Sequence, residues 1–170
     1  MRFTKLQLLV PTLLAIILAG GCLNYRVGTT LPRDLRTIVI ETFVNESGEP
    51  NLEHELQRAM RQEVQREGQL RLATPETAAI KLSGTILNYT LAPMRYDQDR
   101  PKTVAEYRVE IKVRINAVER ATGKPITSQT VIGDTTLQVG GDLMTARRTA
   151  LPAATRQAAH EIINAVVSAW

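Results

Sequence analysis

Few residues in this sequence have side chains that could take part in chemistry. The chain has one cysteine, Cys22, and two histidines, His54 and His160. One cysteine excludes an intramolecular disulfide and a multi-cysteine metal cluster, and two histidines without helical spacing exclude an HExxH zinc site. His54 stands between Glu53 and Glu55, but consecutive helical residues point about 100° apart, so these three cannot converge on a metal. We predict that both histidines are solvent-exposed helix residues and that no metal or cofactor is bound.

The sequence also lacks the motifs that place a catalytic nucleophile. The chain has four serines, none of them in a GxSxG elbow. The Gly-Lys pair at 123–124 lacks the upstream glycine of a phosphate-binding loop and joins two predicted strands. Asp97 and Asp99 share a loop with Arg95 and Arg100, which indicates a contact surface rather than an acid–base site. The sequence therefore predicts a protein that is not an enzyme.

Length and charge narrow the class of protein further. The chain has 170 residues, with 21 basic and 17 acidic side chains and a net charge of +4. This length suggests one domain, and so mild a charge argues against nucleic acid as a partner, because such binding rests on many phosphate contacts. Arg2 and Lys5 contribute two of the four units of charge, and both lie at the very start of the chain.

Those two basic residues begin a segment that is typical of an export signal. They precede a short apolar run, 6–18, which is shorter than the roughly 20 residues of a membrane span. The following residues, 18–22 (LAGGC), resemble a lipobox, in which the chain is cut before the cysteine and its thiol is acylated. We therefore predict a signal peptide over 1–21 and lipidation of Cys22. An ordinary signal peptide cleaved near Gly20 is the alternative, and it would leave an unpaired thiol in an oxidising compartment.

The rest of the chain shows a regular pattern of strands and helices. Residues 22–36 contain turn formers without periodicity and predict a lipidated tether, followed by a single domain over 37–170. The first predicted elements are a strand over 37–44, a helix from Pro50 or Asn51 to Glu67 that stops at Gly68, and a short strand over 69–73. They are followed by a strand over 80–91 with a bulge near 84–87 and by a polar loop over 93–101. The last predicted elements are a strand over 107–117, its hairpin partner over 126–139, and a final helix after an Asp142 N-cap.

The prediction of the fold depends mainly on three features of this pattern. Apolar and polar residues alternate strictly over 107–117, so one face of this strand is packed and the sheet is largely antiparallel there. Glu63 falls within the apolar stripe of the first helix, and we expect it to pair with Arg66 or to lie at the margin of the buried face. Pro152 must kink or split the last helix. The order of elements predicts an α+β fold: a two-layer sandwich in which two helices pack on one face of a mixed sheet.

Short motifs in this order resemble the lipopolysaccharide-assembly lipoprotein family, LptE. They are residues 21–28 (GCLNYRVG), Leu31-Pro32, 38–45 (IVIETFVN), 49–53 (EPNLE), 84–89 (GTILNY), 106–109 (EYRV) and 122–125 (TGKP). The resemblance implies an outer-membrane lipoprotein, lipid-anchored on the periplasmic side, that sits as a plug inside a β-barrel partner and helps to place lipopolysaccharide on the cell surface. The residue after the cysteine is Leu23 and not aspartate. In this respect the chain is similar to lipoproteins that are delivered to the outer membrane.

Under this interpretation we expect Arg95, Arg100, Lys102 and Lys124 to meet glycolipid phosphates or acidic loops of the barrel. The alternative for each of them is an ordinary solvated loop charge. A second resemblance leaves an alternative open. Residues 38–72 are also similar to periplasmic lipoproteins that activate a peptidoglycan synthase or form part of a secretion assembly. The regular strand over 107–117 and its Thr-Gly-Lys-Pro turn favour the lipopolysaccharide-assembly family.

Overall fold

The computed structural model describes residues 31–100, 102–139 and 143–170. The predicted signal peptide, Cys22, most of the tether and the predicted N-cap Asp142 lie outside the described residues. The elements, in chain order, are β1 Thr37–Ile40, β2 Val44–Asn45, α1 Leu52–Glu67, β3 Arg71–Leu72, β4 Ile80–Tyr96, β5 Val104–Glu119, β6 Pro125–Gln138 and α2 Leu143–Val167.

The strands form one mixed sheet in the order β3-β1-β4-β5-β6, and β2 also pairs with β4. β1 is parallel to β3 and β4, whereas β4, β5 and β6 form an antiparallel meander. The two helices contact each other, and α2 packs along β5 and β6. The predicted α+β fold, with a mixed sheet and two helices, is confirmed.

The inner and outer faces of the sheet follow the alternation read in β5. Its residues Val109, Ile111, Val113, Ile115 and Ala117 are completely buried against the helices. The intervening side chains are mostly exposed and belong to the opposite side, which we call the open face. The alternation of apolar and polar residues in β5 therefore predicted correctly which face of the sheet the helices cover.

The predicted strand over 37–44 is interrupted in the structure. β1 ends at Ile40 and β2 begins at Val44, with a buried Phe43 between them. A Cβ on Gly84 would lie 2.4 Å from Phe43 Cε1, so the ring occupies the space above this glycine. The predicted bulge is also present, but as a register shift between Ile86 and Asn88. Gly84 therefore accommodates an aromatic ring rather than forming the bulge itself.

β4 extends further than the sequence predicted. It continues through Pro93 to Tyr96, so the predicted loop over 93–101 is wrong in its first half. Pro93 lies opposite Tyr107, and the register shifts directly after it, between Pro93 and Arg95. An irregular ladder of this kind tolerates a residue without a backbone N–H, and the cross-strand partners on β5 continue the pairing beyond it.

The end of α1 agrees with its prediction, whereas the course of α2 differs in part. α1 ends at Gly68, whose φ of 80° is the left-handed C-cap predicted for it. α2 is one continuous helix through Pro152, so of the two predicted outcomes, a kink or a split, the split does not occur. Next to this proline, Thr155 Oγ1 donates a hydrogen bond to the Leu151 carbonyl at 2.9 Å. Within the described part of the chain, neither helix has the length and apolarity needed to cross a bilayer.

Candidate interaction surfaces

Three of the four predicted contact residues lie together at one end of the sheet. Arg95 is near the end of β4, where its Nε is 3.2 Å from Glu106 Oε2 on β5. Arg100 follows in the β4–β5 connection, and its Nη2 is 3.2 Å from Asp97 Oδ2. Lys102 lies exposed in the same connection. The structure thus groups these three residues, and two of them already have an acidic neighbour.

Asp97 organises this connection. Its Oδ1 accepts the backbone N–H groups of Asp99 and Arg100 at 2.9 and 3.0 Å. The N–H of Asp99 is the main cause of the lowered pKa of the Asp97 carboxyl, and Arg100 lowers it further by hydrogen bonding and charge. The predicted pairing of acidic and basic residues in this loop is therefore present between Asp97 and Arg100.

Lys124 lies at the opposite end of the sheet, in the turn between β5 and β6. β5 has 16 residues, which corresponds to a strand of about 50 Å at roughly 3.3 Å per residue. Lys124 lines a cavity of about 240 Å³ with Glu119 and Trp170. Three of the four predicted residues therefore form one cluster, and Lys124 lies alone at the other end of the sheet. Their phosphate contacts stay a prediction.

A buried carboxylate joins the two helices. Glu63 on α1 has a side chain only 10% exposed, and Arg66 Nη2 donates to its Oε1 at 2.9 Å. His160 Nδ1, on α2, lies 2.9 Å from the same oxygen. Burial raises the pKa of the Glu63 carboxyl, but the bonds and charges of Arg66 and His160 outweigh it, so that the pKa lies below its ordinary value.

The structure agrees with the predictions for these residues and adds one contact. The expected pairing of Glu63 with Arg66 is confirmed. Both histidines are exposed helix residues as predicted, His54 on α1 beside Glu53 and His160 on α2. The contact between the His160 ring and Glu63 was not predicted.

A second ionic cluster was missed by the sequence analysis. Arg147 on α2 pairs with Glu49, which precedes α1, and its guanidinium carbon lies 5.6 Å from the centre of the Tyr89 ring on β4. Burial is the main cause of the raised pKa of the Tyr89 hydroxyl, and the nearby Glu49 carboxylate adds to it. The cluster connects α2, the sheet and the loop before α1. No local signal identifies it, since its members are far apart in the chain.

These clusters link separate elements of the fold through ion pairs and hydrogen bonds. In the part of the chain that the structure describes, no group of three or more His, Cys, Asp and Glu side chains is placed to hold a metal ion. The two histidines there each meet a glutamate, Glu53 or Glu63, and not a serine.

Comparison with solved structures identifies the fold. A protein from Xanthomonas campestris is similar, with a TM-score of 0.55, 9% identity, and 82% of this chain and 90% of that chain covered. A hypothetical protein from Chlamydia trachomatis has a TM-score of 0.53 and 12% identity, with 78% and 98% covered. The rare lipoprotein B from Shewanella oneidensis has a TM-score of 0.50 and 13% identity, with 78% and 94% covered. At these identities the likeness shows a shared fold and nothing more.

The sequence itself identifies the family. No curated protein sequence matches the chain significantly. The family model for lipopolysaccharide assembly, LptE, matches residues 35–166, which include every strand and almost all of both helices. The chain therefore belongs to the LptE lipopolysaccharide-assembly family.

Proposed function

We propose that this protein is an outer-membrane lipoprotein that plugs a β-barrel partner and takes part in placing lipopolysaccharide on the cell surface. The observation that carries the proposal is the match of the LptE family model over 35–166. In this proposal residues 1–21 are a signal peptide, Cys22 is acylated on the periplasmic side, 22–36 form the tether and 37–170 form one domain. Neither a cofactor nor nucleic acid is required.

The open face of the sheet supports the idea of a plug. Its side chains on β5 include Arg108, Lys112, Arg114 and Asn116, all exposed. The lumen of a large membrane barrel is polar and aqueous, so a surface of this composition can remain hydrated inside it. Burial of the same face against an apolar partner would leave these charges without water, at a cost of several kcal/mol per unpaired ion.

The lipid anchor is tested by two substitutions at adjacent positions. Cys22→Ala is expected to abolish acylation, measured by mass spectrometry of the mature protein, and to release it from the membrane fraction. Leu23→Asp keeps the thiol, so the protein is expected to be acylated but no longer sorted to the outer membrane. An unmodified thiol in the mature wild-type protein would contradict the anchor.

The partner is tested by purification from native membranes. A tagged, full-length protein is extracted in mild detergent and its associated proteins are identified by mass spectrometry. A large outer-membrane β-barrel in stoichiometric amount supports the proposal, and Cys22→Ala should reduce its yield, because tethering raises the local concentration of the plug. Recovery of a penicillin-binding synthase or of secretion components instead would support the alternative function and refute the plug.

A further inference from the structure

The two edges of the sheet differ strongly in length. One edge is β3, a strand of two residues, Arg71 and Leu72. The other is β6, which has 14 residues. Among the described residues, no strand pairs with the outer side of β6. Long edge strands expose a row of unpaired N–H and C=O groups, which natural proteins usually shield.

The hydrogen-bond pattern shows which groups of β6 point outward. The N–H of Val139, directly after β6, donates to the Ala105 carbonyl at 2.9 Å. These two residues are one step along the ladder from the pair of Glu106 and Gln138, so they continue its register. In an antiparallel ladder such hydrogen-bonded pairs alternate with pairs whose backbone groups point away from the partner strand. The outward residues of β6 are therefore the even-numbered ones, 128 to 138, and each offers one donor and one acceptor.

β6 has almost none of the features that protect an edge. Its sequence, PITSQTVIGDTTLQ, contains one charged residue, Asp134, and its proline is the first residue. The register with β5 is regular from Thr127 to Gln138, so no bulge twists the edge away. Ile132, at the centre of the strand, is 46% exposed. Such an edge is competent to pair with another strand.

The charge beside this edge indicates what kind of strand fits. Asp134 and Thr135 of β6 line a cleft of about 560 Å³ together with Arg156 of α2. Two other charged groups of this cleft, Glu63 and Arg66, pair with each other, and Asp134 lies 3.7 Å from Arg108. Arg156 is exposed and has no ion-pair partner among the described side chains. An acidic side chain next to the edge would meet this guanidinium.

A second copy of the chain is a poor occupant of the same edge. Antiparallel pairing of two β6 strands is a two-fold arrangement that continues the sheet and places both α2 helices on the same side. α2 carries three arginines and one acidic residue. The two helices, which pack over β6, would bring like charges together across the seam.

We propose that the outer edge of β6 binds an extended, acidic peptide segment of a partner protein as an added strand. Backbone hydrogen bonds to the outward groups of residues 128–138 supply affinity, and the Arg156 guanidinium selects an acidic side chain. This inference goes beyond the proposed function, since any protein with such a segment qualifies. A closed barrel wall has no open strand edge, so a barrel partner would have to supply the segment from a loop or a terminus.

The backbone part of the proposal is tested with a synthetic probe. The probe is a fluorescein-labelled nine-residue peptide of alternating threonine and valine with two threonines replaced by aspartate, N-methylated along one edge so that a single edge can pair. Saturable binding to the full mature protein is measured by fluorescence anisotropy. Thr130→Pro removes an outward N–H without touching the β5 ladder and is expected to weaken binding about tenfold. Thr130→Val keeps that N–H and is the matched control.

The charge part of the proposal uses a reversal. Arg156→Glu is expected to weaken the aspartate probe and to strengthen a probe with lysine in place of aspartate. Arg61→Glu makes the same change of charge on the exposed side of α1, outside the cleft. This control variant should change the binding of neither the aspartate probe nor the lysine probe. Circular dichroism and the urea midpoint establish that each variant is folded.

Two results would overturn this inference. One is the absence of saturable binding to the folded wild-type protein, and the other is a wild-type dimer that Thr130→Pro converts to a monomer, because the edge would then belong to a second copy. Neither result bears on the barrel partner. Conversely, failure to recover a barrel from native membranes would leave the binding of the probe unchanged.

Discussion

Gly133 is the position at which one methyl group should do the most damage. It lies on β6 facing α2, and an added Cβ would be 2.3 Å from both the backbone N and the Cα of Ala158. Ordinary contacts between non-bonded carbons are about 3.5–4.0 Å, so α2 would have to move away from the sheet by more than about 1 Å. The obstructing atoms belong to a helix backbone and cannot rotate aside.

The expected cost of Gly133→Ala is about 3 kcal/mol of unfolding free energy, the upper end of the range for overpacked sites. The intrinsic effect has the opposite sign, because alanine is favoured over glycine in a strand by roughly 0.5–1 kcal/mol. Gly133 is not among the glycines with positive φ, so backbone strain adds nothing. Urea unfolding followed by circular dichroism measures the difference.

Two further variants make this test specific. Gly68→Ala has no atom within 4 Å of the new Cβ but requires a φ of 80°, so its cost should be only about 1 kcal/mol. Adding Ala158→Gly to Gly133→Ala removes the Cβ contact at 2.6 Å but leaves both backbone contacts at 2.3 Å, and it should not restore stability. A Gly133→Ala protein as stable as the wild type would refute the close packing of α2 on β6.

Three further perturbations address the ionic clusters. Glu63→Gln should cost about 2 kcal/mol near pH 7; because its pKa is lowered in the folded state, the cost should shrink in urea titrations as pH falls below the ordinary value of 4.5. Arg147→Lys keeps the charge but loses the planar guanidinium that pairs with Glu49 and should lower unfolding free energy by about 1 kcal/mol. Lys102→Glu and Lys124→Glu should leave stability unchanged, and only one of them should reduce surface lipopolysaccharide, measured by labelling of intact cells, since the two lysines lie at opposite ends of the sheet.

Local patterns determined those parts of the fold that the sequence predicted correctly. The alternation over 107–117 identified β5 and its buried face, and the stop at Gly68 ended α1 at the correct residue. The ion pair of Glu63 and Arg66 could be predicted for the same reason, since residues three apart on a helix are neighbours. In each case the signal and the structure lie within a few residues of each other.

The failures have a common physical origin in contacts between distant segments. The extension of β4 through Pro93 depends on its partner strand, and the continuity of α2 through Pro152 accompanies its packing against the sheet. His160 is 97 residues from Glu63, and Arg147 is 98 residues from Glu49. The packing of α2 against α1 and against the loop before α1 creates such pairs, and no periodicity within either helix predicts them.

The length of the sheet gives the proposed plug a consequence of its own. β5 spans about 50 Å, whereas the apolar band of an outer-membrane barrel is about 25 Å tall. A domain lying with β5 along the barrel axis would therefore extend beyond this band. The cluster of Arg95, Arg100 and Lys102 would then lie towards one end of the barrel and Lys124 towards the other, so a single glycolipid could not contact all four residues. Lipopolysaccharide occupies the outer surface, and a charge reversal that affects its placement should therefore map to one end of the sheet alone.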